Sequence, residues 1–267
     1  MLKKNSIVFI SGSGRSGTTI VDRILGTIPE AVTVSQLYHI IFDLYHEEVI
    51  CSCGNQTGKC EFWTLVIKKL SLSKENIKKI TRIHEEINHS RYFFNILFGT
   101  LSNKKKVELN YYLKWLETLY DTIFEITKKN IIIDSSKVPS HILLLSKINK
   151  YNISVLHIIR HPSGVVKSWQ KNKYDPSKKK FMNTHSTHKI LFNWIIRNSL
   201  SNILKYLMPY KRYNYEKIID NPDYIFNQVL KNFKIKTNFK FNIKNKSIFL
   251  ESNHTLSGNP HRFHTGK

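Results

Sequence analysis

The segment Gly12-Ser13-Gly14-Arg15-Ser16-Gly17-Thr18-Thr19 follows the short apolar run Ile7-Val8-Phe9-Ile10 and precedes Ile20, Val21, Ile24 and Leu25 at helical spacing. A short continuous apolar run with a β-branched bias reads as a strand buried on both faces of a parallel sheet. Glycines in the connection let backbone N–H groups wrap an anion at the N-terminus of the helix that follows. Strand, glycine loop and helix in this order make half of a βαβ unit and point to an α/β fold. The competing reading is a plain glycine turn with Ser and Thr as helix caps.

The G-x-x-x-x-G skeleton is that of a phosphate-binding loop, but its sequel differs from a nucleotidase. There the second glycine is followed by a lysine that reaches the β and γ phosphates. Here Thr18 stands in that place and the cation, Arg15, lies inside the loop. An embedded arginine suits an anionic donor without a third phosphate.

Two further apolar runs have the same character. Ile131-Ile132-Ile133 ends at a predicted turn, Asp134-Ser135-Ser136-Lys137, and Val155-Leu156-His157-Ile158-Ile159 ends at Arg160-His161-Pro162. Ligands of open α/β sheets bind at the carboxyl ends of the strands, so three polar strand ends can converge on one cleft. Residues 61–129, rich in Leu, Ile, aromatics and Lys without Pro, read as amphipathic helices. Helices are also predicted from about residue 163 and over about 189–207, and Tyr213-Asn214-Tyr215-Glu216 reads as a late strand turning into a helix. The Lys-rich stretch 171–183 is expected to be a mobile surface loop, and the tail 252–267 to be a loop. No internal repeat or low-complexity linker divides the 267 residues. The expectation is therefore one domain over residues 1–267, a P-loop-like three-layer α/β fold with a central, mostly parallel sheet flanked by helices.

Forty-two Lys and Arg against nineteen Asp and Glu give a formal charge of +23, which attracts anions over long range. No aromatic-interleaved basic motif accompanies it, so no specific nucleic-acid surface is expected. No run approaches the roughly eighteen apolar residues a spanning helix needs, and the first apolar run is too short for a signal segment, so a cytoplasmic location is the default. Cys51, Cys53 and Cys60 lie within ten residues, an odd count that argues against a disulfide framework. Their C-x-C-x6-C spacing is an incomplete zinc pattern needing a fourth ligand such as His39 or His46. A structured loop of partly buried thiols without metal is expected instead.

Residues 11–26 resemble the 5′-phosphosulfate loop of sulfotransferases, especially bacterial members and tyrosylprotein sulfotransferases that begin with a G-x-x-R-S-G-T-T segment. Arg160 at a strand end, with Ser168 eight residues later on the following helix, resembles the family's 3′-phosphate motif. Also similar to bacterial members are Cys51-Ser52-Cys53-Gly54 through Cys60-Glu61-Phe62-Trp63, Asp134-Ser135-Ser136-Lys137, Tyr215-Glu216 and the closing segment 254–263. The resemblance thus covers nearly the whole chain.

It implies 3′-phosphoadenosine 5′-phosphosulfate (PAPS) as sulfuryl donor, no metal, and a small-molecule, carbohydrate or peptide acceptor that offers a hydroxyl. Arg15 would then neutralise the leaving phosphate and the transferring group, Thr18 and Thr19 would donate to the 5′ phosphate, and Gly12, Ser13, Gly14, Ser16 and Gly17 would complete the loop. Lys137 resembles the family's second cation beside the sulfuryl group. Arg160 and Ser168 would hold the 3′ phosphate, with Arg262 adding to it. The sequence departs from the family where a Gly-Glu-Leu segment commonly carries the general base: here it reads Ser35-Gln36-Leu37, and Gln cannot accept the proton. His39 is the substitute candidate, with His254 behind it. The same departure admits a protein that binds donor but transfers slowly. Two other classes stay open, a P-loop phosphotransferase and a non-enzymatic binder of anions or nucleic acid.

Overall fold

The protein is represented by a computed structural model that describes residues 5–45, 49–177, 179–243 and 247–266. Five strands form one parallel sheet in the order β2-β3-β1-β4-β7: β1 (Ser6–Ser11), β2 (Ala31–Ser35), β3 (Ile131–Lys137), β4 (Asn152–Ile159) and β7 (Tyr210–Asn214). Two two-residue strands, β5 (Tyr174–Asp175) and β6 (Lys180–Phe181), pair antiparallel outside it. Strand β1 is central because its side chains are apolar on both faces. Ile7 and Phe9 enter one core, Val8 and Ile10 the other.

The first core lies under α3 (Glu61–Leu70), α4 (Lys74–Ile87), α5 (Phe93–Phe98), α6 (Asn103–Thr127) and α7 (Pro139–Ser146). On α6 the buried Leu109, Tyr112, Leu116, Leu119, Tyr120 and Ile123 recur at helical spacing, which accounts for one long helix in this Pro-free stretch. The second core is closed by α1 (Thr18–Leu25), α10 (Tyr215–Asp220) and α11 (Pro222–Asn232). The sheet with helices on both faces is the α/β architecture expected from the sequence. Helices α2 (Ile40–Leu44), α8 (Pro162–Gln170) and α9 (Thr187–Ile203) complete it. Among the described residues no helix is long and apolar enough to cross a membrane.

Two local expectations are corrected. Asp134 to Lys137 form no turn; β3 continues through Lys137, because Asp134 accepts from the Ser136 amide (2.8 Å) and from Tyr120 (2.6 Å), which satisfies the carboxylate inside the sheet. The described residues of stretch 171–183 are not simply a surface loop, since β5 and β6 pair within it and Asp175 and Ser177 are buried, the Ser177 hydroxyl donating to Asp175 (2.7 Å).

Candidate functional site

The parallel register brings the C-terminal ends of three strands together, with Ser11 opposite both Lys137 and His157. Here the backbone leaves β1 into loop 12–17. Gly12 has φ 137°, and a Cβ there would stand 2.3 Å from the Ile158 carbonyl oxygen. Gly17, at φ 85°, lies against the Tyr215 ring, where a Cβ would meet carbon at 2.1 Å. The glycines are thus required by close approach of neighbouring strands and helices. The loop ends at the N-terminus of α1, which has no side-chain cap, so its first N–H groups remain available to an anion.

Over these strand ends opens a cleft of about 1200 Å³. Gly12, Ser13, Gly14, Arg15, Gly17, Thr18 and Thr19 line it, together with Lys137, Arg160, Ser168 and His39. Sequence motifs as much as 150 residues apart therefore share one cavity. Ser16 does not reach it; fully buried, its hydroxyl pairs with that of Ser13 at 2.8 Å. Arg262 must be corrected: it does not line the cleft. Its buried guanidinium donates to Gly258 O (3.0 Å) and Ser177 Oγ (2.5 Å) and lies 3.4 Å from Asp175, so it fastens stretch 171–183 to the tail.

Arg15 adopts φ 67° and Lys137 φ 64°, left-handed conformations that typically cost non-glycine residues on the order of 1 kcal/mol or more. Both are held by their surroundings. The Arg15 carbonyl accepts from Arg160 Nη1 (3.1 Å), its guanidinium lies over the Trp169 ring at 4.8 Å, and Nη2 reaches Met182 Sδ at 3.1 Å. Arg160 stacks on Tyr215 at 4.7 Å, the ring that also covers Gly17. The loop, Tyr215 and Arg160 are consequently one packed unit.

Among the described residues six cations line the cleft, Arg15, Arg23, Lys137, Arg160, Lys173 and Arg197, against one carboxylate, Asp175. Arg23 is engaged by the Glu251 carbonyl (2.9 Å) and the His261 carbonyl (3.1 Å), and Asp175 by Ser177 and Arg262. Burial lowers the affinity of Arg15, Arg197 and Lys173 for their protons, and for Lys173 the neighbouring Arg15, Lys171 and Arg160 add to this. Burial pushes Lys137 down to about 7, against the opposing pull of Asp22 and Asp134. Its ammonium donates to the Ser135 carbonyl at 2.9 Å. Desolvated cations with so little counter-charge are most stable when an anion enters.

Sequence reasoning missed Arg197, Lys173, Trp169, Trp194 and Tyr38, all of them cleft walls. Arg197, on α9, donates to the Lys137 carbonyl at 3.4 Å. Nothing in its sequence neighbourhood signals this; it is one basic residue on an amphipathic helix. Tyr38 is fixed by Ser136 Oγ accepting its amide (2.9 Å) and by its hydroxyl donating to Asn88 O (3.0 Å). Gln36 and His39 flank it in the wall, His39 edge-on to the Tyr38 ring at 4.9 Å. His254, the reserve candidate base, lies elsewhere, beside the three cysteines.

No family model matches the sequence, and no curated protein matches it. Solved structures do. A sulfotransferase domain from the curacin biosynthetic pathway aligns over 88% of this chain and 75% of its own, at 13% identity and a TM-score of 0.48. A sulfotransferase domain from the Synechococcus PCC 7002 olefin synthase aligns over 91% and 77%, at 18% identity and 0.44. A sulfotransferase from Alicyclobacillus acidocaldarius aligns over 93% and 87%, at 11% identity and 0.43.

Proposed function

We propose that this chain is a sulfotransferase that moves the sulfuryl group of PAPS to an acceptor hydroxyl. The observation that carries the reading is a cleft with two cationic poles in contact: the loop holding Arg15 at the N-terminus of α1, and Arg160 bonded to the Arg15 carbonyl, with Ser168 lining the same cleft from α8. A donor with a 5′ phosphosulfate and a separate 3′ phosphate asks for two such poles. Magnesium-dependent phosphoryl transfer is less well supported, because Thr18 replaces the lysine of nucleotidase loops and Asp175, the one carboxylate on the walls among the described residues, is already engaged.

In this scheme the acceptor oxygen attacks sulfur as the bond from sulfur to the bridging phosphate oxygen breaks, releasing 3′-phosphoadenosine 5′-phosphate. Loose in-line transfer asks the protein to align the partners and to neutralise charge on the leaving oxygen. Arg15 and Lys137 carry that charge, and the α1 N-terminus with Thr18 and Thr19 grips the 5′ phosphate. Arg160 and Ser168 take the 3′ phosphate. The acceptor's proton passes to His39, which shares the wall with Gln36.

Calorimetric titration with 3′-phosphoadenosine 5′-phosphate tests the donor site. Micromolar binding, at least tenfold tighter than ADP, is expected, with the preference abolished in Arg160→Ala. Equal affinity for ADP would return the loop to a generic phosphate site and overturn the proposal.

Lys137 adds a pH dependence. Its ordinary lysine value of 10.5 falls to about 7 through burial, so the contact-forming ammonium predominates below pH 7 and is depleted above it. Bound anion favours the charged form, hence binding takes up a proton above neutrality and affinity declines as pH rises from 7 to 9. Loss of one charge-assisted contact, worth about 1.5–3 kcal/mol, corresponds to roughly 10- to 100-fold. That window lies above the second phosphate ionisation near ~6, so the ligand's own charge stays constant. Titrations in two buffers of different ionisation enthalpy measure the uptake, and Lys137→Met should flatten the profile.

A further inference from the structure

The three cysteines are joined by a residue about two hundred positions away. Cys51, Cys53 and Cys60 present their sulfurs, and His254 a ring nitrogen, within 4.8 Å of one another. His254 takes the place for which the sequence offered His39 or His46; His39 lies on the cleft wall, and His46 falls outside the described residues. We propose that Cys51, Cys53, Cys60 and His254 bind one zinc ion in a closed tetrahedral site that fastens the C-terminal tail to the cleft.

The spacing of the four atoms carries the inference. The sulfur of Cys60 lies 3.7 Å from that of Cys53 and 3.8 Å from that of Cys51, while His254 Nδ1 lies 3.3 Å from Cys60 and 4.0 Å from Cys51. A tetrahedron with Zn–S bonds of about 2.3 Å and a Zn–N bond of about 2.0–2.1 Å has edges of about 3.8 Å between sulfurs and about 3.6 Å from sulfur to nitrogen. These four edges scatter around those lengths, and the other two lie within 4.8 Å. A disulfide requires about 2.05 Å between sulfurs, far shorter than either distance.

The surroundings hold these atoms in place, as outer-shell contacts do in metal sites. On the cysteine side, Cys51 N donates to Asn55 O (2.8 Å) and Gly54 N to Cys51 O (2.9 Å), with Gly54 at φ 92° making the knuckle tight. On the histidine side, Trp63 Nε1 donates to the His254 carbonyl (2.7 Å), and the imidazole stacks on Phe62 at 5.2 Å. Ser52 N donates to Thr255 O, and Thr255 N to Ser52 Oγ, both at 2.9 Å, lacing the segments on either side.

All four coordination positions are filled by protein, which leaves none for substrate and marks a structural ion. Its purpose follows from what the tail does next: Ser257 and Gly258, three and four residues beyond His254, line the cleft, and the Ser257 carbonyl accepts from Ser35 Oγ at 2.9 Å beside Gln36. Loading would release thiol protons and leave a net charge of −1 on the cluster, favourable in a chain of +23.

The full chain, purified reduced and without chelator, should carry one zinc per chain by elemental mass spectrometry. Exchange into cobalt(II) should give the intense visible d–d bands and near-ultraviolet sulfur-to-cobalt charge transfer of a tetrahedral thiolate site. Cys53→Ser should lower the metal content several-fold at least. His254→Cys supplies a fourth thiolate and should keep the metal with stronger charge transfer, which guards against mistaking misfolding for ligand loss. Arg15→Ala should leave metal content unchanged. A reduced protein without zinc that gives no cobalt spectrum would overturn the proposal, as would metal content indifferent to Cys53→Ser or a native mass two hydrogens short, the sign of a disulfide.

Discussion

Replacing Arg15 by Ala is expected to lower sulfuryl transfer by at least about a hundredfold while leaving the fold intact, the size of loss typical when one preorganised donor to developing charge is removed. The guanidinium lies in the loop that leads into α1, and the anion-binding N–H groups at the helix start survive the substitution. Donor affinity should therefore fall less than the maximal rate, because charge on the leaving oxygen grows as the bond to sulfur stretches. Stability should move by no more than ~0.5 kcal/mol, since the side chain is half-buried and its contacts with Met182 Sδ and the Trp169 face are weak. Arg15→Lys restores a charge but not the fork that spans two oxygens, and should recover only part of the rate. Initial rates of 3′-phosphoadenosine 5′-phosphate release at saturating donor, with parallel thermal melts, measure both effects. Undiminished turnover in Arg15→Ala would remove the sulfotransferase reading.

How far such a site can be read from sequence depends on whether its parts are local. Strand β1, the loop and α1 are contiguous, so an apolar run, glycines and helical spacing sufficed. The ends of β3 and β4 were legible for the same reason: apolar residues give way to polar ones where the strand meets the cleft. Arg262 was misassigned because an aperiodic tail gives no indication of direction; only the fold reveals that the buried Asp175 and Ser177 engage it. Stretch 171–183 was judged by its lysine-rich composition, which hides that Asp175 and Ser177 are buried and that Lys173 faces the cleft. Arg197 and His254 were invisible as partners because each meets its neighbours across the fold, Arg197 at Lys137 and His254 at cysteines about two hundred residues earlier. Gln36 stays a genuine departure, and moving the base role to His39 rests on their common wall.

Gly12→Ala is expected to destabilise the fold strongly while leaving every charged residue in place. A methyl group at this position would stand 2.3 Å from the Ile158 carbonyl oxygen, a β4 backbone atom that cannot swing aside as a flexible side chain would. The backbone is also at φ 137°, so side-chain strain of about 1–3 kcal/mol adds to the overlap. Relief requires β1 and β4 to separate at the point where the loop leaves the sheet, and that separation draws the loop away from Arg160. Taking the total as about 3 kcal/mol, the melting temperature should fall by on the order of 6–12 °C for a chain of this size. Gly58→Ala is the control, because a methyl there meets open space and its melt should stay near wild type. If Gly12→Ala melts like Gly58→Ala and binds the bisphosphate unchanged, the tight exit from β1 is not what shapes the anion loop, and the geometry that places Arg15 must come from Tyr215 and Arg160 instead.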